Sequence, residues 1–268
     1  MITYEEYLNA LSDAGLNKGA TVLVHSGISL FGKPDVVAKK RSILKFYYDG
    51  LLEAIGDEGT LVTPTFTGTS YVRNKIAFEV TETKSEVGAF SNFILEQKNA
   101  IRSFHPIVSL VAIGKNAKKI CGGNHFDGYG YDSPWGRLLD DNSKILTLGY
   151  AIYPSGMSAI HFLENMLGVP YQYTKLFESN VYYKKKKIDG LFTMSVRYLE
   201  YDISHDQSEF KKILVDEGLG KIIKLGNGKI LSTSFKELFN CGKKIFAKNR
   251  YILLKNNPKF SKNKIPLI

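Results

Sequence analysis

Short apolar runs that stop at glycine constrain this chain more than any other feature. TVLVHSG (21–27) is rich in β-branched residues and reads as a buried strand. GTLVTPTFTG (59–68) reads as a second strand entering a loop, and IVSLVAIG (107–114) and SKILTLG (143–149) as two more. Helical stretches alternate with them: TYEEYLNALSDAG ending in Gly15, a long one from about Asp35 to Ile55 before the turn GDEG, and EVGAFSNFILEQK. SPWGRLLDD starts a short helix with Pro134 at its first position, where the missing N–H does no harm. This alternation of helix and strand indicates an α/β layer structure. With 268 residues, 44% of them hydrophobic, the chain can bury a sizeable core as one large domain or two small ones.

No apolar run approaches the roughly 18–20 residues of a membrane span. The acidic, amphipathic start MITYEEYLNALSDAGLNKG does not resemble a signal peptide. Cys121 and Cys241 have neither a metal-ligand nor a CxxC spacing, which suits a reducing cytoplasm. The net charge of +10 attracts anions such as nucleic acid, membrane surfaces or phosphorylated small molecules. Only six of the basic residues are arginine, the usual bidentate reader of phosphates and bases, so nucleic acid is not an expected partner. KKKK at 184–187 and the terminal KNNPKFSKNK read as a solvated face and a tail.

The stretch SAIHFLENMLGVPY (158–171) carries the one pairing with chemical promise. It reads as a helix with Ser158 as N-cap and a stop at Gly168–Pro170. Ile160, Leu163 and Leu167 form its apolar stripe. His161 and Glu164, three residues apart, share a neighbouring face. A histidine held by a carboxylate is the usual form of a general base, although His161 could equally cap or pack the first turn. Phosphate-binding GxGxxG and GxxxxGK[ST] signatures are absent, as is the GxSxG nucleophile elbow. What remains is a set of turns rich in small hydroxyl residues and glycine: VHSGISLFG, PTFTG, RSFHPIVS and DSPWG. Such turns can aim backbone N–H groups at an anion.

Taken in order, these pieces resemble the aminoglycoside 3-N-acetyltransferase family. VLVHSGISLFG is similar to its strand followed by His-Ser-Ser-Leu-Arg-x-Leu-Gly, and GTLVTPTFT to its Gly-Thr-Leu-Val-Met-Pro-Thr-Phe-Thr. RSFHPIVSLVAIG, DSPWGRL and IHFLENMLGVPY follow, the last with the family's His-x-x-Glu and Val-Pro. The motifs span about residues 20–177. The chain departs at Gly27, where the family has its second serine, and near Leu30, where it has arginine. The helix before GTLV is also longer, with the basic stretch KKRSILK.

The resemblance implies an α/β fold with a mixed central β-sheet flanked by helices, unlike the GNAT and left-handed β-helix acetyltransferases. It implies acetyl-CoA as co-substrate, no metal, and His161 and Glu164 as the catalytic pair. Residues 1–268 would form a single domain, 1–180 binding CoA and carrying the catalysis, and the basic portion 181–268 completing the acceptor side. For CoA it points to the turn of Ser26, Gly27, Ser29, Leu30 and Gly32, and to Arg102, Ser103, His105 and Ser109. Arg102 and Ser103 could instead close a loop, and His105 could shape the turn before Pro106. His25 and His125 read as supporting residues, and His205 lies outside the resemblance. The expected reaction is direct attack by the acceptor amine, with His161 as base and a backbone N–H of a small-residue turn holding the oxyanion.

The acceptor would be an amino sugar. From Phe235 onward nine Lys or Arg stand against one acidic residue, Glu237. That balance repels a polycation and favours a nucleotide-linked (dTDP or UDP) amino sugar of surface-polysaccharide synthesis over an aminoglycoside antibiotic. A non-catalytic nucleotide- or RNA-binding relative, a thioester hydrolase and a homodimer stay open.

Overall fold

The fold is that of a computed structural model, which describes residues 1–35, 43–123, 125–141, 143–153 and 155–260. In chain order its elements are α1 (Tyr4–Asp13), β1 (Thr21–Ser26), a 3₁₀ turn (Ile28–Phe31), α2 (Ile43–Ile55), β2 (Thr60–Pro64), α3 (Ser70–Arg73), β3 (Phe78–Glu79) and α4 (Ala89–Leu95). There follow β4 (Ile101–Arg102), β5 (Leu110–Gly114), α5 (Ala117–Cys121), α6 (Pro134–Asp140), β6 (Lys144–Gly149) and α7 (Ala159–Leu167). The last third adds β7 (Gln172–Glu178), β8 (Val181–Tyr183), β9 (Lys186–Ile188), β10 (Leu191–Arg197), α8 (Ser208–Asp216), β11 (Gly220–Leu225), β12 (Gly228–Ser234) and α9 (Phe235–Lys248).

Seven strands form the central sheet in the order β11-β12-β6-β1-β2-β5-β4. β1 runs parallel to both β2 and β6, while β12 and β5 flank that trio antiparallel. The sheet is therefore mixed, as expected. Side chains alternate across it because successive residues of a strand face opposite ways. Val22, Val24, Leu61, Val111, Leu146 and Leu148 join the core beneath α1, α2 and α4. Leu23, Val62, Leu110, Ala112 and Ile145 join the opposite core with α5 to α9. Both faces are covered, which is why these strands read as unbroken apolar runs rather than alternating ones.

Of the expected helix from Asp35 to Ile55, the structure shows Ile43–Ile55; residues 36–42, with most of KKRSILK, lie outside the described residues, as do 261–268 of the tail. α7 matches its expected span and ends at Gly168 in the left-handed conformation, φ 67°. Its start differs. Ser158 takes the N-cap position but makes no capping bond, because its hydroxyl is engaged by His25, 2.8 Å away. α1 and α9 instead carry full capping boxes, Thr3 with Glu6 and Ser234 with Glu237. β11 and β12 form a hairpin that adds to β6, so the basic last third is built into the central sheet. The KKKK run lies in the β8–β9 hairpin, where the backbone N–H groups of Lys184 and Lys185 donate to Glu79 at 3.1 and 3.0 Å. Among the described residues, no helix is long and apolar enough to cross a membrane.

Candidate active site

The parallel strands β1, β2 and β6 all end on one side of the sheet, the position where open α/β sheets bind ligands. A cleft of about 290 Å³ opens there, walled by His25 and Ser26 from the end of β1, Thr63 and Pro64 from β2, and Tyr150 just past β6. α7 points its first turn into the cleft with Ser158 and His161. The loop before α8 supplies His205 and Gln207.

Glu164 organises this site. Its side chain is fully buried one turn below His161, and three donors converge on its two oxygens. His161 Nδ1 lies 2.6 Å from Oε2. The Tyr171 hydroxyl donates to Oε1 at 2.7 Å, and His205 Nε2 lies 2.8 Å from the same atom. Burial alone would raise the carboxyl pKa. The hydrogen bonds from His161 and His205 outweigh burial and hold it well below the usual carboxylate range. An anionic Glu164 fixes the His161 proton on Nδ1 and leaves Nε2 as the nitrogen available to the cleft.

His161, Glu164 and His205 are the one group among the described residues whose ligand atoms lie close enough together, within 4.8 Å, to hold a metal ion. Hydrogen bonding already accounts for that closeness: each atom facing the carboxylate is committed at 2.6–2.8 Å. The trio forms one hydrogen-bonded network.

His25, expected only to support, forms part of the cleft wall. Burial, with the Lys211 ammonium nearby, pushes its imidazole pKa down to about 3, so it is neutral. Its Nε2 accepts from the Ser158 backbone N–H at 3.0 Å and tethers the start of α7 to β1. Gln207 accepts from the Met157 N–H at 3.1 Å and holds the same turn from the other side. Behind it, the buried Lys211 of α8 donates to the Tyr153 and Ser155 carbonyls at 3.0 and 2.6 Å. Burial lowers its pKa to about 8.

The residues expected to bind CoA separate into two groups. Ser26 lines the cleft, Gly27 packs on the Tyr150 ring that also lines it, Ser29 and Leu30 are exposed, and Gly32 lies beside Asn227 of the β11–β12 turn. Arg102, Ser103, His105 and Ser109 are a correction: all four are buried in the fold. The Arg102 guanidinium donates to the Thr65 carbonyl at 2.6 Å and to Ser109 Oγ at 3.1 Å, also reaches the Thr83 carbonyl, and stacks 4.6 Å above the Phe78 ring. Ser103 Oγ accepts from the Leu110 N–H at 3.0 Å, tying β4 to β5. His105 Nδ1 accepts from the Ile107 and Val108 N–H groups, both at 3.2 Å, while Nε2 lies 3.1 Å from the Thr193 carbonyl. Their described hydrogen bonds go mostly to backbone groups and otherwise to neighbouring buried hydroxyls, which braces the wall. His125 is likewise buried, with Nδ1 3.3 Å from the Asp127 carbonyl.

At Gly27, where the resembling family has serine, the space is taken. A Cβ there would stand 2.4 Å from Cε1 of Tyr150, and one on Gly156 would stand 2.3 Å from Cε2 of the same ring. Tyr150 is thus clasped between two glycines while it lines the cleft. Burial pushes its pKa up to about 12.

Fold and site together define an α/β protein with a histidine–carboxylate pair at the carboxyl ends of a parallel strand trio. The chain belongs to the aminoglycoside 3-N-acetyltransferase family, whose model matches residues 23–247. It is similar to aminoglycoside N(3)-acetyltransferase IX of Micromonospora chalcea, with 24% identity over 186 residues, 63% of this chain and 63% of that protein. It is 28% identical over 191 residues to the SPbeta prophage-derived aminoglycoside N(3')-acetyltransferase-like protein YokD of Bacillus subtilis (strain 168), covering 63% of this chain and 66% of YokD. The matches thus span just under two thirds of the length of these curated relatives. The YokD crystal structure superposes with a TM-score of 0.74 at 24% identity over 92% of this chain and 100% of that one. A structure described as AAC-IIIb binary with CoASH gives 0.76 at 19% identity, covering 96% and 99%. These likenesses bear out the mixed α/β fold.

Proposed function

We propose that this protein is an acetyl-CoA-dependent N-acetyltransferase acting on an amino group of an aminoglycoside. The observation that carries the reading is the 2.6 Å contact between His161 Nδ1 and the buried Glu164, which leaves the other imidazole nitrogen free at the cleft. The acceptor amine needs its lone pair, yet such amines are largely protonated at neutral pH. Once the ammonium has released its extra proton to solvent, the neutral amine attacks. His161 Nε2 takes one of its remaining N–H protons as nitrogen bonds to the thioester carbonyl carbon, with Glu164 stabilising the imidazolium that forms. The carbonyl electrons move onto oxygen, held by a backbone N–H from the turn at 26–32. Collapse breaks the carbon–sulfur bond, and the imidazolium returns its proton to the departing CoA thiolate. Neither cysteine lines the cleft, so direct attack in a ternary complex is the simpler route. Acetyl-CoA as co-substrate is supported by family membership and by the CoA-bound neighbour, with Ser26, Gly27, Ser29, Leu30 and Gly32 forming the turn that meets it.

The names of the matched relatives favour an aminoglycoside over the nucleotide-linked amino sugar to which charge alone pointed. One observation keeps that second acceptor in play. Among the described residues lining the cleft there is no Asp or Glu, and Glu164, which holds His161, is already bonded to two imidazoles. A polycation would find no obvious counter-ion there. The test is CoA-thiol release from acetyl-CoA with aminoglycosides in one panel, dTDP- and UDP-linked amino sugars in another, and no acceptor in a third. Turnover confined to the first supports the reading. Turnover confined to the second replaces the acceptor, and none above the no-acceptor rate in either panel overturns the activity.

A further inference from the structure

We propose that His205 is a positioning residue that sets the basicity of His161 through the carboxylate the two imidazoles share. The inference rests on the reading of His161 as the base and extends it to a residue 44 positions away in sequence.

The tautomer of His205 can be argued from its neighbours. Arg197 Nη1 stands 3.5 Å from its Nδ1, and a guanidinium can only donate. A proton on Nδ1 would face those N–H groups, so the ring proton belongs on Nε2, where Glu164 Oε1 accepts it at 2.8 Å. His205 therefore donates from Nε2. Together with the Tyr171 hydroxyl it draws charge toward Oε1, away from the oxygen that faces His161. A carboxylate shared among three donors stabilises an imidazolium less than one reserved for a single histidine. The consequence is a His161 that keeps its lone pair at lower pH than an undiluted histidine–carboxylate pair would allow.

The sign does not depend on the charge state of His205. If His205 is neutral, deleting it concentrates carboxylate charge on His161. If it is protonated, deleting it removes a like charge from a ring whose centroid is 5.1 Å away. Either change raises the proton affinity of His161. The other groups facing His161 stay fixed in charge. Tyr129, from the loop before α6, has its ring centroid 6.0 Å away and is held neutral by burial. Tyr171, reached through Glu164, is likewise kept neutral by burial. His25, at the end of β1 with Lys211 behind it, is neutral throughout the working range.

The loop carrying His205 is secured without its side chain. The Asp206 N–H donates to the Leu253 carbonyl at 2.8 Å, and the Lys255 N–H to the Ser204 carbonyl at 2.9 Å. A His205 variant thus retains the backbone clamp from the C-terminal segment.

The test compares His205→Leu with His205→Gln in the full chain. The His161 ring is titrated by NMR, its signals assigned by their loss in His161→Ala, and the pH profile of kcat/KM is recorded alongside. His205→Leu should raise the His161 titration point by about one pH unit, a tenfold gain in proton affinity. The acidic limb of kcat/KM should move with it. His205→Gln, which retains an N–H donor, should stay near the wild-type value. An unmoved His161 titration in His205→Leu, or an equal shift in both variants, overturns the proposal. So does a variant whose only change is a higher KM for the acceptor, which would make His205 a substrate contact. A shifted titration with an unmoved rate profile supports the coupling and instead overturns His161 as the base.

Discussion

Glu164→Gln changes one oxygen to nitrogen and keeps the shape of the side chain, yet it should nearly silence the enzyme. The wild-type carboxylate accepts from three donors: His161 on one oxygen, Tyr171 and His205 on the other. A carboxamide offers only one acceptor oxygen. If that oxygen stays with Tyr171 and His205, the new NH₂ faces His161 Nδ1, where the wild-type contact is 2.6 Å. Two donors cannot meet there, so the imidazole proton must shift to Nε2, the atom that has to accept the proton of the amine. The reverse orientation sets the NH₂ against His205, whose tautomer Arg197 opposes, so the first arrangement is favoured. With the base in the wrong tautomer, kcat should fall roughly 10²- to 10⁴-fold. Stability should fall by about 1–3 kcal/mol for the mismatched buried donors. CoA release from acetyl-CoA with an active acceptor measures the first quantity, and urea unfolding measures the second. A folded variant whose kcat stays within a few-fold of wild type would refute the tautomer argument and remove Glu164 from the mechanism.

His161→Ala should lower turnover by about a hundredfold or more while leaving acetyl-CoA affinity nearly intact, as measured by steady-state kinetics and calorimetry. Arg102→Met strands the Thr65 and Thr83 carbonyls in the wall and should cost about 2–5 kcal/mol of stability in urea titrations. CoA affinity in that variant should be unchanged, and a selective loss of CoA binding would return Arg102 to the cofactor site. Gly27→Ser forces its Cβ into the Tyr150 ring and should destabilise by about 1–3 kcal/mol. Adding Tyr150→Ala should abolish that increment, which a double-mutant cycle in thermal unfolding reads directly.

The part of this molecule that could be read from sequence is the part with local periodicity. The strands at 21–26, 60–64, 110–114 and 144–149 are continuous apolar runs because the sheet is covered on both faces. The pair His161 and Glu164 could be read because three residues is one helical turn. The β11–β12 hairpin escaped because its lysines break the apolar run, as suits an edge strand. Yet Gly226-Asn227 between Leu225 and Gly228 is a two-residue hairpin signal that marks it. His205 had no such mark. Its meeting with Glu164 is made by tertiary folding, through a loop clamped from beyond α9. Arg102 misled for the opposite reason. An arginine beside serines suggests phosphate binding, and only its burial against backbone carbonyls shows that it braces the wall.

The ring of Tyr150, clasped between Gly27 and Gly156, makes three separate positions behave as one heritable character. A serine at 27 displaces the ring, so the exchange carries a cost for as long as the ring stays. A larger residue at 156 meets the same obstacle from the far side. Any lineage that widens this cleft is therefore expected to lose the aromatic first and gain side chains at the glycines afterwards. Such an order of events could be read in the ancestry of the sequence long after the intermediate had vanished.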